Sequence, residues 1–521
     1  MVGRTRWFRK RSMLRFADAP WNASSDEWQV RDQEVPAEHL AREVVEAVRQ
    51  LDLTSLFALY AGVGKPPIRP DLMLTIAMIE IRRGEHRPSH WFLDTKENSV
   101  LPWAGFGIRP SRTSWFDFAD RVTPLLEGWN AKVLQLARQR RVTQAERISL
   151  DGTSVAANAS RHRLVNEATV EQRLTELENA IQGDAADQPP PNVPAWMAKN
   201  PDTREGQRRR YRRARERLAE LQAVNNRQDR KRRRKPEKIV VSASDPETAL
   251  GRDKQNVFRP MYNVQLVRDL DSQLYLGYQV FAQPTDAGTL GTMLERIANW
   301  LGVKPKAVLV DAGYVTACNL AICEQAGITL YGPWQENDFS RKKKKRGAKP
   351  RPIGKEHFTW LPEQNMYRCP EGHPMPQIGQ QKRSQRDGQI NVLHSYRCLP
   401  QHCRVCLRHV TCSTNPNRGR SVKRSEHEAL VETHRARMAT AEAKSLYRLR
   451  GQTVELGFAD LKQHRSMRQF SGRGRSRAQR QVGLTVLVHN LLVVHRATPS
   501  PENGQVQRQV ARRGLISRKL I

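Results

Sequence analysis

Two aspartates follow closely similar apolar stretches of the chain. Asp151 ends the stretch Ile-Ser-Leu-Asp and is followed by a glycine, and Asp311 ends Val-Leu-Val-Asp and is followed by an alanine. Each stretch predicts a short β-strand with the acid at its carboxyl end, the edge that lines the ligand crevice of an open α/β sheet. One such acid is typical of an ordinary strand-ending turn, but two in one alternating α/β segment indicate a shared site.

A third acid, Glu455, lies in a segment whose pattern predicts a helix. Arg448 precedes it by seven residues, and Lys462 follows it by seven. Since seven residues make about two helical turns, the three side chains are predicted to share one helix face. A carboxylate between two cations suits a metal ion together with phosphates. The alternative interpretation is a solvated stripe of charges.

Three carboxylates of this kind suit metal-assisted chemistry at phosphorus. Two divalent ions about 3.5–4 Å apart can activate the attacking oxygen and stabilise the leaving oxygen of an in-line displacement. Mg²⁺ prefers oxygen ligands and keeps several waters, so few protein ligands suffice. We therefore predict a Mg²⁺ or Mn²⁺ site formed by Asp151, Asp311 and Glu455. Asp286 competes for a role, but its position favours the N-cap of the next helix.

The chain also carries a large positive charge. Its 521 residues include 88 Lys and Arg against 53 Asp and Glu, a formal net charge of +35, with basic runs at 208–210, 231–235 and 341–346. A surplus of this size favours a polyanionic partner over a membrane surface. No secretory signal is recognisable, and no apolar stretch reaches the roughly 18 residues of a membrane span. We predict a cytoplasmic protein that binds double-stranded DNA and no membrane.

Five of the seven cysteines are clustered late in the chain. The pair Cys403 and Cys406 has the spacing of a zinc knuckle, and Cys369 and Cys412 complete four thiolates for a structural Zn²⁺. Further candidate ligands are Cys398 and His373. The polar loops between these residues predict little core of their own, so a metal would help them to fold. The alternative is a set of reduced thiols without metal.

Hydrophobic periodicity divides the chain into segments that would position these residues. The segments are a basic, irregular arm at 1–35, a helical DNA-binding domain at 36–145, an α/β core at 146–334 and 426–496, a basic helical insertion at 165–240, a basic Cys-rich insertion at 335–425, and a disordered tail at 497–521. Two strands at 262–268 and 274–281 are predicted to form a hairpin within the core. The two insertions account for the long spacings between the three acids.

Several fragments together resemble bacterial insertion-sequence transposases of the DDE superfamily. They are LDGTSVAANASRHR, SDPETALGRDK, YNVQLV, VLVDAGY, the cysteine cluster, TVELGFADLK and VHNLL. The resemblance implies a ribonuclease-H-like mixed sheet as the core, with Asp151, Asp311 and Glu455 as the catalytic triad. It also implies DNA contacts by a signature of Tyr447, Arg450, Glu455 and Lys462. Here four residues separate the arginine from the glutamate instead of three, which leaves Arg448 as an alternative to Arg450.

The resemblance further implies the reaction and the partners. The enzyme would bind the terminal inverted repeats of its element and hydrolyse the DNA there. The freed 3′-hydroxyl would then attack a phosphodiester of target DNA and displace a 3′-oxygen of the target strand. The helical domain at 36–145 would recognise the ends of the element and form the contacts of a homo-oligomer, expected to be a dimer. The protein would be associated with the nucleoid. Two alternatives remain at this point: a catalytically decayed DNA-binding regulator of transposition, and a nuclease on the same core.

Overall fold

The computed structural model describes residues 16–60, 65–228, 230–253, 256–334, 353–384, 389–413 and 415–497. These residues fall into two compact units. The first comprises residues up to 144, residues 152–285 and residues from 455 onward, and the second comprises 145–151 and 286–454. The predicted basic run at 341–346, and the predicted tail apart from Ala497, lie outside the described residues.

The first unit begins with a series of helices, as the periodicity predicts. They are α1 (Asp26–Glu34), α2 (Leu40–Arg49), α3 (Thr54–Phe57), α4 (Pro70–Arg83), α5 (Pro88–Glu97), α6 (Val100–Ala104), α7 (Arg112–Val122) and α8 (Leu126–Gln139). The hydroxyl of Ser111 caps α7 by accepting a hydrogen bond from Ser114 N. Helix α4 is buried along most of its length, so it forms the centre of this helical part.

Helix α1 lies in the segment for which the sequence predicts an irregular arm, so that part of the prediction is wrong. The ring of Trp28 on α1 stacks on Phe106 at 5.6 Å and on Trp103 at 6.5 Å between centroids. Its Nε1 also donates to the carbonyl of Trp103. A half-buried aromatic ring whose polar atom is hydrogen-bonded fixes the helix against residues far along the chain. Local patterning does not reveal such a contact.

A buried acid on α4 gives the helical part a predicted dependence on pH. The side chain of Glu80 is 1% exposed and pairs with Arg83 at 2.9 Å. Burial, together with a hydrogen bond to the carboxyl group of Asp94, raises the pKa of Glu80 to about 8 from 4.5 in spite of Arg83. The folded state therefore holds a proton that the unfolded chain releases between these two pH values.

We expect the stability of the protein to fall as pH rises from 4.5 to about 8, by up to about 1.4 kcal/mol per pH unit from this group. Glu80→Gln keeps a neutral donor beside Asp94 and removes the titration. Urea unfolding midpoints at several pH values should therefore depend less on pH in this variant than in the wild type. If the unfolding midpoints of the two proteins depended on pH in the same way, the raised pKa of Glu80 would not be the cause.

Strand β1 (Arg147–Ala156) leads into the helical insertion of the first unit. The insertion contains β2 (Leu164–Val165), α9 (Glu167–Ala185), α10 (Pro201–Asn226) and β3 (Val241–Ser242). Its helices pack around a small core of their own. The guanidinium of Arg204, 2% exposed, pairs with Asp184 at 2.5 Å. The predicted helical hairpin is thus present.

The remaining strands of the first unit form its antiparallel part. They are β4 (Ala249–Arg252), β5 (Phe258–Asp269) and β6 (Tyr275–Phe281), and β5 pairs antiparallel with both β4 and β6. Strands β5 and β6 form the predicted hairpin. Residues of β5 from Pro260 onward are buried, as expected for a strand covered on both faces.

The second unit contains the parallel part of the sheet. It comprises α11 (Thr289–Leu301), β7 (Ala307–Leu309), α12 (Ala317–Ala326) and β8 (Thr329–Tyr331). The first residues of β1 pair in parallel with β7, and β7 pairs in parallel with β8. With antiparallel strands in one unit and parallel strands in the other, the fold is mixed α/β and consistent with the predicted ribonuclease-H-like class, which is confirmed.

The Cys-rich insertion lies in the second unit and has a core that the sequence does not predict. Its elements are β9 (Thr359–Leu361), β10 (Met366–Arg368), β11 (Pro374–Ser384), β12 (Ile390–Arg397), α13 (Pro400–Arg404), α14 (His409–Cys412) and β13 (Ser421–Ser425). The strands form an antiparallel sheet in the order β13-β12-β11-β10-β9. The rings of Trp360, Tyr367 and Tyr396 pack on one another with centroids 4.9–5.4 Å apart.

The last elements are helical. They are α15 (Glu428–Ala439), α16 (Ala441–Arg450), a π-helical turn (Gly451–Glu455), α17 (Leu456–Ala459), a second π-helical turn (Asp460–His464) and α18 (Arg475–Ala497). Short 3₁₀ helices occur at Thr123–Leu125, Arg230–Arg232, Pro236–Lys238, Lys355–His357, Pro362–Gln364 and Pro416–Arg418. Among the described helices, none has the length and hydropathy needed to cross a bilayer.

Candidate active site

Asp151 and Asp311 each lie two residues beyond the paired part of two neighbouring parallel strands of the second unit. The pairing joins Arg147 to Ala307 and Ser149 to Leu309, an offset of 160 residues. The same offset separates the two aspartates. Both acids therefore follow the same end of the strand pair, whose strands lie about 4.8 Å apart.

The two strands end differently from what the sequence predicts. Strand β1 continues through Asp151 to Ala156, so this acid lies within a strand and not at its end. Strand β7 ends at Leu309, two residues before Asp311. There the carboxylate accepts a hydrogen bond from Gly313 N at 2.7 Å. Asp311 therefore lies two residues beyond its strand, at the start of the turn that follows, and not at the last position of the strand.

Arg450 is the cation that the structure brings to the first acid. Its Nη2 lies 2.6 Å from Asp151 Oδ2, and the two side chains are 11% and 15% exposed. A largely buried ion pair of this kind orients the carboxylate. Arg448, the alternative that the sequence leaves open, is exposed, and Tyr447 is half-buried on the same helix. The geometry thus places Arg450, and not Arg448, beside the acid.

The π-helical turn at Gly451–Glu455 explains the additional residue between Arg450 and Glu455. A π turn closes hydrogen bonds from i to i+5 instead of i+4, so it takes up one more residue than an α turn. The same observation corrects the helical-phase argument. Because π turns interrupt the helix, seven residues are not two α-helical turns, and the predicted common face of Arg448, Glu455 and Lys462 does not follow.

Glu455 and Lys462 belong to the first unit. Glu455 is exposed. The Nζ of Lys462 donates to Thr153 Oγ1 at 2.5 Å, which ties it to the strand that carries Asp151 two residues earlier.

Gly457 was missed by sequence reasoning: a Cβ there would lie 2.7 Å from Arg268 Cδ, so glycine is needed for the helix to pack on β5.

The five clustered cysteines line one small cavity in the second unit, about 20 Å³ in volume. The lining includes Cys369, Cys398, Cys403, Cys406 and Cys412, together with His373 and His402. Burial, and then the neighbouring thiols of Cys403 and Cys369, raise the pKa of Cys398 to about 12. Arg420 N donates to Cys403 Sγ at 3.3 Å. Cys398, a further candidate by sequence, is thus central to the cluster.

Within the described ranges, no three His, Cys, Asp or Glu side chains are grouped so that they could hold a metal ion together. The donor chemistry is nevertheless of two distinct kinds. Asp151 and Asp311 supply oxygen atoms of the type that Mg²⁺ prefers. The cysteine cavity supplies thiols and imidazoles of the type that Zn²⁺ prefers.

The prediction that Asp286 caps the next helix is wrong. Helix α11 begins after Gly288, which has a left-handed backbone and no capping side chain. Thr289 instead donates to the main-chain carbonyl of Asp286. Two other loop acids have structural partners: Asp245 is buried and accepts from the Tyr262 hydroxyl, and Asp253 pairs with Arg259 at 2.9 Å.

One comparison with known proteins bears on this site. Residues 368–495 match the family model described as the transposase DDE domain. The matched segment contains the cysteine cluster, Glu455, Lys462 and Asn490, and it begins after Asp151 and Asp311. A search of curated proteins finds no match to the chain.

Proposed function

From this match, which supports a transposase of the DDE superfamily, we propose that the chain binds the ends of its own mobile element, cuts the DNA there and joins the freed ends to target DNA. The single observation that carries the proposal is the register of the parallel strands, which supports a common site for Asp151 and Asp311. The net charge of +35 supports a nucleic-acid substrate. Resemblance alone supports action as a dimer.

We assign the metal to Asp151, Asp311 and Glu455. Bound Mg²⁺ or Mn²⁺ would supply Lewis-acid stabilisation of the charge that develops on the phosphate oxygens. Arg450 holds the Asp151 carboxylate in one orientation, and Lys462, tied to β1 through Thr153, supplies positive charge for a strand phosphate. Glu455 enters on family resemblance, and its position in a π turn accords with the tendency of such turns to mark functional sites.

The proposal is tested by incubating the protein with Mg²⁺ or Mn²⁺ and duplexes cut from the DNA that flanks its gene. We expect strand cleavage at the inverted repeats, followed by joining to a second duplex. Tight binding without cleavage under either metal would instead identify a regulator. Cleavage without joining, and without preference for the repeats, would identify a nuclease.

We also propose that the cysteine cavity holds a structural Zn²⁺. Cys369, Cys403 and Cys412 are proposed ligands, and Cys406 and the buried Cys398 compete for the fourth place. The cavity that these cysteines share supports this assignment.

Metal analysis of freshly purified protein should find about one equivalent of zinc. Cys403→Ala should lose the metal and lower the melting temperature, whereas Cys318→Ala, a buried cysteine on α12 outside the cavity, should retain it. Less than about half an equivalent in the wild type would contradict the assignment.

A further inference from the structure

A wide cleft in the first unit is separate from the residues discussed so far. Its volume is about 670 Å³. It lies among α10, the start of α18, the end of α7 and the loop before β4. The lining consists of Asp120, Thr123, Pro124, Arg213, Glu247, Arg473, Gly474, Ser476 and Arg477.

Exposed arginines dominate this cleft. Arg213, Arg473 and Arg477 are exposed on its walls, and Arg210 lies one helical turn before Arg213 on α10. The pKa of Arg210 is lowered by partial burial and then by the nearby charge of Arg473. Among the described residues, no carboxylate pairs with Arg210 or Arg213. Arg473 also interacts with the buried Asp245, so the positive charge without a paired acid lies on α10.

The two acids of the cleft are already engaged. Asp120 lies 2.5 Å from Arg480, which is 10% exposed, and 3.6 Å from Arg477. Glu247 accepts a hydrogen bond from Arg475 N at 2.5 Å. The lining carries three arginines against these two acids, and Arg210 and Arg480 lie beside it, so positive charge exceeds negative charge in and around the cleft.

The loop that carries Arg473 and Gly474 is fixed by hydrogen bonds to residues elsewhere in the first unit. The carboxylate of the buried Asp245 accepts from Gly474 N at 3.0 Å and from the Tyr262 hydroxyl at 2.9 Å. Gly474 has a φ of +87°, a conformation that favours glycine. Arg473 Nε donates to the carbonyl of Asn158 at 3.2 Å. A fixed loop presents its charges at a low cost in entropy.

We propose that this cleft binds the phosphate backbone of duplex DNA through Arg210, Arg213, Arg473 and Arg477. The inference rests on the proposed function for its choice of DNA over other polyanions. DNA carries one charge per about 1.7 Å of helix axis, so four guanidinium groups across an open cleft fit a short run of phosphates. Such contacts position the duplex without reading its sequence.

The test is the salt dependence of binding to a 30-base-pair duplex of arbitrary sequence, followed by fluorescence anisotropy. Each lost phosphate contact reduces the slope of log K against log salt by about 0.9. We expect the double variant Arg213→Ala/Arg473→Ala to reduce the slope by about 1.8. Arg213→Lys/Arg473→Lys should keep most of the slope, which separates loss of charge from disturbance of the fold.

The matched control is Arg209→Ala/Arg227→Ala, which removes two exposed arginines of the same helical segment outside the cleft. An equal loss of slope in the control, or none in the cleft variant, overturns the proposal. Preference for duplex RNA of the same length overturns the choice of DNA. The cleavage assay separates this inference from the proposed function. If the wild type cleaves its element ends but the cleft variant keeps the wild-type salt slope of DNA binding, the cleft proposal is wrong and the proposed reaction stands. If the wild type does not cleave but the cleft variant loses salt slope, the proposed reaction is wrong and the cleft proposal stands.

Discussion

Asp311→Asn is expected to abolish metal-dependent cleavage of the element ends while leaving DNA binding intact. The amide keeps the size of the side chain and its acceptor for Gly313 N, but it removes the charge that holds a divalent ion. Loss of several kcal/mol of transition-state stabilisation corresponds to a fall in rate on the order of a thousandfold or more. Single-turnover cleavage of a labelled duplex, with anisotropy as the binding readout, measures both quantities.

Asp286→Asn is the matched control, because this half-exposed acid also follows a core strand. It should cleave at close to the wild-type rate. Normal cleavage by the Asp311 variant, or an equal loss in the Asp286 variant, would show that Asp311 does not hold the ion.

Asn490→Leu is expected to destabilise the first unit by about 2–6 kcal/mol, since two buried main-chain groups lose their partners at about 1–3 kcal/mol each. Asn490 on α18 is fully buried. Its Nδ2 donates to the carbonyl of Tyr275 at 2.8 Å, and its Oδ1 accepts from Tyr275 N at 2.9 Å. The side chain of Asn490 therefore satisfies the main-chain N–H and carbonyl of Tyr275 on β6, as a neighbouring strand would. Urea unfolding of the variant and the wild type measures the difference.

Thr485→Val provides the comparison on the same helix. Its hydroxyl is also buried, but its bond is to the carbonyl of Gln481 one turn earlier on the same helix. We expect a cost of at most about 1 kcal/mol. Equal midpoints for Asn490→Leu and the wild type would mean that Tyr275 finds other partners.

The parts of the fold set by local periodicity could be predicted from the sequence. The helical character of the segment before β1, helix α12 and the hairpin of β5 and β6 follow from apolar spacing. The parallel strands could be found because a short apolar stretch precedes each acid. The register of these strands could not be predicted, because it depends on pairing between residues 160 positions apart. That register supplies the strongest support for a shared site.

Other features depend on contacts or turns that no local pattern encodes. The π turn at Gly451–Glu455 takes up one residue, and the single glycine at its start does not distinguish a π turn from an α-helix, so the predicted α-helical phase is wrong. The small core of the Cys-rich insertion gathers Trp360, Tyr367 and Tyr396 from three strands. In the sequence, each of these aromatic residues stands alone in a polar segment, so no local pattern predicts that they form a core.

The central claim is that Asp151 and Asp311 hold the same divalent ion. It is tested most directly by replacing Mg²⁺ with Fe²⁺, generating hydroxyl radicals with ascorbate and peroxide, and mapping the cuts in the protein backbone by mass spectrometry. The account predicts cuts beside both aspartates, suppressed by excess Mg²⁺ and lost together in Asp311→Asn. Cuts beside only one of them, or cuts that Mg²⁺ does not suppress, would contradict it.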